Sequence, residues 1–368
     1  MPRVLDADTH ILEPAEMWQH FAEAMYPRRP VLVTVPNDTL YRRSNAFWLI
    51  DGEIFPKPAG KGGFLLLTPA EQETARDRPD RRSRELLDLD YRLKDMDAMG
   101  ADLQVVYPTL FLAFLTHDVE LEVALCRAYN RFLAGVWAKQ PRRLRWVVIP
   151  PLRSVEASLQ ELRFGKEHGA VGVFFRGIEK DRTLEDPYFF PVYEEAQRLD
   201  LPICIHTGAG CPDWTRVIDV TTSFTFPHVR LLPLVAFRNI VSNKVPERFP
   251  TLRWAFVETG ASWLPYLLHS IRGTHGDAFE DWGPKLFERY RLFVAYEEAE
   301  DLGYLVKVVG EDHLFAGTDY GHHATPNFPG DPSAQPHMVA HLRAREDVPA
   351  SVIDKVLYDN AARLYGLV

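Results

Sequence analysis

Near its start the chain reads Val4-Leu5-Asp6-Ala7-Asp8-Thr9-His10, a short apolar run that carries two candidate metal ligands at its end. A run of this kind is typical of a buried strand. Asp8 and His10 are two residues apart, so in an extended chain both side chains leave on the same side. The stretch therefore predicts a buried strand that presents a carboxylate and an imidazole to one site.

Two later stretches repeat this arrangement. The first, Ile203-Cys204-Ile205-His206, ends in a histidine, and the second, Phe315-Ala316-Gly317-Thr318-Asp319, ends in an aspartate. Proteins built on parallel strands place their chemistry at the carboxyl ends of those strands. Two carboxylates and two imidazoles that converge from three strands would form a site for one divalent metal, with zinc, manganese and iron all compatible.

The wider pattern predicts the fold. Most candidate strands are continuous apolar runs, as expected for parallel strands covered on both faces. Helical patterns separate them, and Leu121–Lys139 is the clearest of these. Eight alternating units favour an α/β fold of the (β/α)8 TIM-barrel type over an open sheet. The predicted strands are Arg3–Asp8, Leu103–Tyr107, Leu144–Ile149, Val171–Phe175, Pro202–His206, Leu252–Val257, Leu292–Tyr296 and Leu314–Thr318.

One long insertion distorts this barrel. Residues 15–90 separate the first two strands, and a connection of that length is expected to form a lid within a single domain covering residues 1–368. Inside it, Pro30–Val35 and Ala46–Phe55 predict a small β excursion. Asp77–Arg84 predicts a solvated charged loop.

Composition excludes several classes of function. The 368 residues carry a formal net charge of −9, which argues against a nucleic-acid partner. An apolar run of about 18 residues is absent, so a transmembrane helix is not expected. The first residues lack the apolar core of a signal peptide. Cys126, Cys204 and Cys211 form no framework spacing, which favours a reduced cytoplasmic setting.

Each predicted metal ligand has an ordinary structural alternative. A single aspartate such as Asp8 or Asp319 often caps a loop or helix at a strand end. A single histidine such as His10 or His206 often bonds a backbone carbonyl. The joint occurrence of these residues on the first, fifth and eighth strands favours the metal site over these alternatives.

Two charged residues at other strand ends are candidates for catalysis or substrate binding. Glu258 follows the sixth strand, where a carboxylate could orient a ligand or act as an acid or base. Its alternative role is a helix N-terminal carboxylate favoured by the helix dipole. Arg176 follows the fourth strand and could clamp a substrate carboxylate, or pair with an acidic residue of a neighbouring loop.

A long loop, Gly208–Val245, follows the fifth strand and is expected to form a wall of the pocket. In it, His228 is a candidate proton carrier, while Trp214 and Phe226 would suit an aromatic substrate wall or ordinary loop packing. Of the adjacent pair His322-His323, one at most is expected to reach the pocket, and His322 is taken as a candidate substrate-binding residue.

Several motifs together resemble one known group of proteins. They are Asp6-Ala7-Asp8-Thr9-His10-Ile11-Leu12-Glu13-Pro14, Ile205-His206-Thr207-Gly208, Phe249-Pro250-Thr251-Leu252-Arg253, Gly317-Thr318-Asp319-Tyr320 and the ending from Leu357 to Gly366. This combination resembles the amidohydrolase-related decarboxylases, which include the aminocarboxymuconate semialdehyde and γ-resorcylate decarboxylases.

The resemblance implies a distorted TIM barrel with one divalent metal, usually zinc or manganese, and often a homodimer. It also implies that the ligands are Asp8, His10, His206 and Asp319, the same four that the strand pattern selects. Two positions depart from the group. Asp8 replaces a histidine or glutamate, and Glu258 stands where those decarboxylases usually carry a histidine that transfers a proton.

The resulting functional hypothesis is a metal-dependent carboxy-lyase that acts on a small aromatic or unsaturated carboxylic acid. Under this hypothesis, Glu258 or His228 transfers the proton to the substrate. Asp319 is both a metal ligand and a catalytic residue. The first alternative uses metal-activated water to hydrolyse an amide, an ester, a lactone or a C–C bond. The second is a barrel without catalysis that serves as a scaffold.

Metal analysis tests the ligand assignment. We expect purified protein to contain about one zinc, manganese or iron ion per chain, and the His206→Ala variant to lose it because one of four ligands is gone. Elemental analysis by mass spectrometry on both proteins measures this. A variant that kept its metal would show that the assignment is wrong.

Overall fold

The fold comes from a computed structural model, which describes residues 3–36, 46–57, 59–63, 80–220, 222, 229–276, 279–322 and 334–367. Its strands, in chain order, are β1 (Leu5–Ile11), β2 (Val31–Thr34), β3 (Ala46–Ile50), β4 (Glu53–Phe55), β5 (Leu103–Pro108), β6 (Leu144–Val148), β7 (Ala170–Arg176), β8 (Ile178–Glu179), β9 (Arg182–Thr183), β10 (Ile203–His206), β11 (Trp254–Val257), β12 (Leu292–Tyr296) and β13 (Leu314–Ala316).

Helices follow most of the barrel strands. They are α1 (Arg81–Arg84), α2 (Leu89–Met99), α3 (Val119–Lys139), α4 (Val155–Glu167), α5 (Phe190–Arg198), α6 (Pro212–Thr215), α7 (Leu231–Ser242), α8 (Val245–Arg248), α9 (Leu264–His275), α10 (Pro284–Tyr290), α11 (Leu302–Val309), α12 (Met338–Arg343), α13 (Ala350–Asp354) and α14 (Asn360–Tyr365). Within the described ranges, none of them is long and apolar enough to cross a membrane.

Eight parallel strands form the central sheet, in the order β1-β5-β6-β7-β10-β11-β12-β13. The two ends of this sheet meet just beyond β13, where the backbone N–H of His10 donates to the carbonyl of Tyr320 at 2.8 Å. The N–H of Asp319 in turn donates to the carbonyl of Asp8 at 3.0 Å. These bonds close the sheet into a barrel, so the TIM-barrel prediction is confirmed.

Strand β1 is longer and less regular than predicted. It continues to Ile11, so Asp8 and His10 lie within the strand and not at its end. Its register against β5 shifts between Asp6 and Thr9, as at a β-bulge. Asp6 and Thr9, three residues apart, therefore both join one hydrogen-bond network with Gln104.

Part of the predicted insertion is confirmed. Strands β2, β3 and β4 pair in antiparallel fashion and form the small β excursion. The prediction of a solvated charged loop at Asp77–Arg84 is wrong for the described residues of that stretch. Residues 81–84 form α1, and both Ser83 and Arg84 are buried. The Ser83 hydroxyl lies 2.6 Å from that of Tyr320, so this segment packs against the closure of the barrel. A lid function for the insertion stays a prediction.

Side-chain caps mark the start of several helices, among them the longest, α3. Asp118 precedes α3 and accepts hydrogen bonds from the N–H groups of Glu120 and Leu121 at 2.8 and 3.1 Å. The apolar face of α3, including Leu121 and Leu125, is buried in the core around the barrel. Because the eight barrel strands are parallel, the loops that follow them lie at one face of the barrel.

Gly317 makes the closure of the barrel possible. A Cβ atom at this position would lie 2.4 Å from the Cβ atom of Asp8 and 2.7 Å from its backbone nitrogen. Only a glycine lets β13 come this close to β1. The closure therefore depends on the absence of a side chain at position 317.

We expect Gly317→Ala to lower the free energy of unfolding by about 1–3 kcal/mol, because the added methyl group overpacks the closure. Gly135→Ala is the matched control, since nothing lies within 4 Å of a Cβ atom at that position in α3. The control should gain about 0.5–1 kcal/mol from its helix propensity. Urea unfolding of both variants measures the difference. Equal effects would contradict the proposed role of Gly317.

Candidate metal centre

Five buried side chains converge at the closure of the barrel. Asp8 and His10 come from β1, His206 from β10, and Glu258 and Asp319 follow β11 and β13. The Nε2 atom of His10 lies 3.6 Å from Asp8 Oδ1 and 3.2 Å from Asp319 Oδ1. The Nε2 atom of His206 lies 3.4 Å from Asp8 Oδ1. The structure thus places the four predicted ligands in two overlapping groups, in which His10 joins Asp8 and His206 on one side to Asp319 on the other.

Backbone carbonyls set the tautomers of both histidines. Nδ1 of His10 lies 2.9 Å from the carbonyl oxygen of Pro108, and Nδ1 of His206 lies 2.9 Å from that of Thr207. A carbonyl oxygen only accepts, so each Nδ1 carries the proton. Each Nε2 then presents its lone pair to the cluster, as a metal ligand requires.

The two carboxylates after β11 and β13 are held by unusual backbone. Glu258 and Asp319 have φ angles of 56° and 51°, in the left-handed region that residues other than glycine rarely adopt. Such conformations persist where the surrounding structure fixes them, and they are concentrated at functional sites. Thr207 adds a side-chain contact, because its hydroxyl donates to Glu258 Oε2 at 2.9 Å.

A sixth residue, His322, extends the cluster. Its Nδ1 lies 2.9 Å from Asp319 Oδ1, and its ring stacks on that of His10 at 3.7 Å between centroids. Its Nε2 lies 2.9 Å from the hydroxyl of Thr109. Glu13 fixes the backbone at that point by accepting the N–H groups of Thr109 and Leu110, both at 2.9 Å.

Burial controls the protonation of this centre. Burial, together with the nearby His322, lowers the pKa of His10 to about 4, which keeps its imidazole neutral at physiological pH. Burial acts to raise the pKa of Asp319, but the imidazoles of His322 and His10 outweigh it and hold that pKa well below its usual value. Neutral imidazole beside ionised carboxylate is the form in which both residue types bind metals.

The residues fit a divalent metal ion. Tetrahedral ligands at 2.0–2.2 Å from an ion are separated from one another by about 3.3–3.6 Å, close to the spacings in this cluster. Moreover, the Nε2 atom of His10 is fully buried and makes no hydrogen bond within the described residues. A buried polar atom of this kind is costly unless it has a partner, and a metal ion would supply one.

Other predicted site residues lie outside this cluster. Arg176 pairs with Glu179, with its Nε atom donating at 3.0 Å to a carboxylate oxygen. It also donates to the carbonyl of Ala113 at 2.8 Å. This is the pairing that the sequence left open as the alternative to a substrate clamp. Trp214 lies on α6 with 37% of its surface exposed. His228 and Phe226 fall outside the described residues.

Sequence reasoning did not assign roles to Glu13, Thr109 and Thr207. Glu13 and Thr207 stand within the quoted motifs, three residues after His10 and directly after His206, and these positions were the available signal. Thr109 carries no such signal, because only the fold places the end of β5 beside His322.

The comparisons with known proteins agree with this geometry. The amidohydrolase family model matches residues 6–367. A γ-resorcylate decarboxylase of Polaromonas sp. (strain JS666 / ATCC BAA-500) is 32% identical over 273 residues, which cover 67% of this chain and 80% of the relative. A 2-amino-3-carboxymuconate-6-semialdehyde decarboxylase of Dictyostelium discoideum is 26% identical over 63% of this chain, and the match spans slightly less than two thirds, 66%, of that relative.

A solved structure shows the same fold over nearly the whole chain. It is the amidohydrolase map2389c from Mycobacterium avium subsp. paratuberculosis K-10, which superposes with a TM-score of 0.74. The two chains are 20% identical, and the match covers 99% of this chain and 98% of the other.

The buried carboxyl of Glu13 predicts a pH dependence of stability. Burial raises its pKa from 4.5 to about 7, so between these values the folded state holds a proton that the unfolded state has released. The stabilising contribution is therefore complete below pH 4.5 and is lost as the pH rises through about 7. By linkage the loss is on the order of 3 kcal/mol.

We expect the free energy of unfolding of the wild type, relative to that of Glu13→Gln, to fall between pH 4.5 and pH 8. Urea unfolding of both proteins across this range measures the difference. Titration of the metal ligands is common to both proteins and cancels in that difference. A difference independent of pH would contradict the raised pKa of Glu13.

Proposed function

We propose that this chain, which belongs to the amidohydrolase family, is a metal-dependent carboxy-lyase that releases carbon dioxide from an aromatic or unsaturated carboxylic acid. The observation that carries the proposal is the buried cluster of Asp8, His10, His206 and Asp319, with both Nε2 atoms turned inward. Support comes from the decarboxylase of Polaromonas sp., to which the chain is similar over 80% of that relative.

The four proposed ligands would hold one divalent metal, zinc or manganese, which supplies polarisation of a substrate oxygen beside the departing carboxylate. When the C–C bond breaks, its electron pair stays on the substrate carbon, which must then take a proton. Glu258 and His322 are the described groups beside the proposed ligands that are able to hold that proton.

Several finer parts of the hypothesis remain predictions. They concern the choice between zinc and manganese, a homodimeric assembly, a cytoplasmic setting, the substrate contacts of Arg176, Trp214 and Phe226, and a proton role for His228. The inactive scaffold is not supported, because the similar decarboxylases are enzymes and the described residues include groups that could hold a metal ion.

A metal-dependent hydrolase is the second candidate, and one observation favours it. Glu258 stands where the decarboxylases that this chain resembles usually carry a histidine, and a buried carboxylate beside the proposed ligands suits activation of water. Under this alternative the same ligands would serve attack on an amide, ester, lactone or C–C bond.

Product analysis separates these two functions. With a panel of hydroxylated benzoic acids, we expect metal-loaded protein to release carbon dioxide, because the hydroxyl oxygen can be polarised beside the carboxylate. Chelation of the metal should abolish the release. Asp319→Asn should lower kcat/KM by at least a hundredfold, because a proposed ligand is weakened; this corresponds to an activation free energy higher by about 3 kcal/mol. Headspace carbon dioxide measured against uptake of ¹⁸O from labelled water provides the readout.

Asp97→Asn is the matched control, because that aspartate lies on α2 with 69% of its side chain exposed. It should keep the full rate. Incorporation of ¹⁸O into product without release of carbon dioxide would favour the hydrolase and overturn the carboxy-lyase.

A further inference from the structure

We infer that Glu258 is itself a ligand of the metal, bound through Oε2. Of the two groups named above as able to hold the proton, this leaves that role to His322. The inference rests on the metal dependence of the proposed function and adds a residue that the family resemblance does not assign as a ligand. It is carried by the spacing of Glu258 from both histidines and by the tautomers of those histidines.

Glu258 lies about as close to the two histidines as the predicted ligand Asp8 does. Its Oε2 atom lies 3.2 Å from Nε2 of His206 and 3.8 Å from Nε2 of His10. The corresponding distances from Asp8 Oδ1 are 3.4 and 3.6 Å. Ligand atoms of Asp8, His10, His206 and Glu258 all lie within 4.8 Å of one another. By distance alone, Glu258 is as close to a shared ion as Asp8.

Two overlapping groups of ligand atoms share Glu258. One contains Asp8, His10, His206 and Glu258, and the other joins His10 and Glu258 to Asp319 and His322. His10 has one free lone pair, on Nε2, because its Nδ1–H is engaged by the carbonyl of Pro108. A single ion bound by His10 is therefore near Glu258 whichever group completes its coordination.

The short contact between Glu258 and His206 brings two atoms with lone pairs close together. The Nδ1 atom of His206 carries the ring proton, so in the neutral imidazole Nε2 is an acceptor. Glu258 Oε2 is also an acceptor when ionised, and two acceptors at 3.2 Å repel each other unless a positive charge lies between them. A metal ion provides that charge. A proton between the two groups, on His206 or on the Glu258 carboxyl, is the competing explanation that the zinc measurements distinguish.

The surroundings of Glu258 fit a ligand that is held in advance. Glu258 is only 4% exposed and has a φ angle of 56°. The hydroxyl of Thr207 donates to Oε2, the same Glu258 atom that lies near His206. Hydrogen bonds of this kind orient ligating carboxylates. Asp8, Glu258 and Asp319 together bring three negative charges when ionised, of which a divalent cation would offset two.

Zinc-loaded crystals provide the direct test. Anomalous diffraction at the zinc edge should place a Glu258 carboxylate oxygen about 2.0–2.2 Å from the ion, the usual zinc–oxygen distance. Both Glu258 oxygens more than about 3 Å from the ion would overturn the inference, because that separation is too long for coordination.

Zinc affinity in solution, measured by competition with a chromophoric chelator, gives a second readout that is independent of activity. Glu258→Gln should lower the affinity at least a hundredfold, while Glu258→His, which restores a ligand atom, should recover most of the loss. Glu161→Gln is the matched control, because this buried carboxylate on α4 pairs with Arg127 and Arg131 away from the cluster. Its zinc affinity should stay within threefold of the wild type.

Wild-type affinity in Glu258→Gln would overturn the inference, and circular dichroism of each metal-free variant establishes that it is folded. The results also separate this inference from the proposed function. If Glu258 coordinates the metal but the protein releases no carbon dioxide, only the carboxy-lyase proposal is refuted. If Glu258 does not coordinate the metal but the protein releases carbon dioxide, only the ligand assignment of Glu258 is refuted.

Discussion

The contact between β1 and the segment after β13 is the constraint on which the rest of the site depends. Two backbone hydrogen bonds, from His10 to Tyr320 and from Asp319 to Asp8, close the barrel beside the proposed ligands. Asp6 reinforces this closure, because its carboxyl accepts both the N–H and the hydroxyl of Thr318 at 2.7 Å. Closing the barrel and assembling the metal centre are therefore one structural event.

Backbone groups orient the side chains of the candidate metal centre. Carbonyls of Pro108 and Thr207 fix the histidine tautomers, so each ring offers Nε2 to the cluster. Glu258 and Asp319 keep left-handed backbone that the surrounding barrel imposes. Preorganisation of this kind reduces the free energy that ordering the ligands would otherwise cost when a metal binds.

Glu258 is a position at which this site departs from the decarboxylases that the chain resembles. The resemblance implies that the sixth strand usually ends in a histidine for proton transfer, whereas here it is followed by a carboxylate 3.2 Å from His206. Coordination of that carboxylate would take it out of proton transfer and make the ligand set richer in oxygen. Oxygen-rich sets favour manganese relative to sets richer in nitrogen or sulfur, so one substitution would alter both the metal and the proton path.

The barrel, most of its strand bounds to within one residue, and the four proposed ligands could be predicted from the sequence, because buried parallel strands leave continuous apolar runs that end in polar residues. Residues distant in the chain carry no such local signal. The burial of Arg84 in α1, the pairing of Arg176 with Glu179, and the meeting of Thr109 with His322 were decided only by the tertiary structure. Each depends on which strand ends and loops become neighbours when the barrel closes, and that is a property of the whole fold.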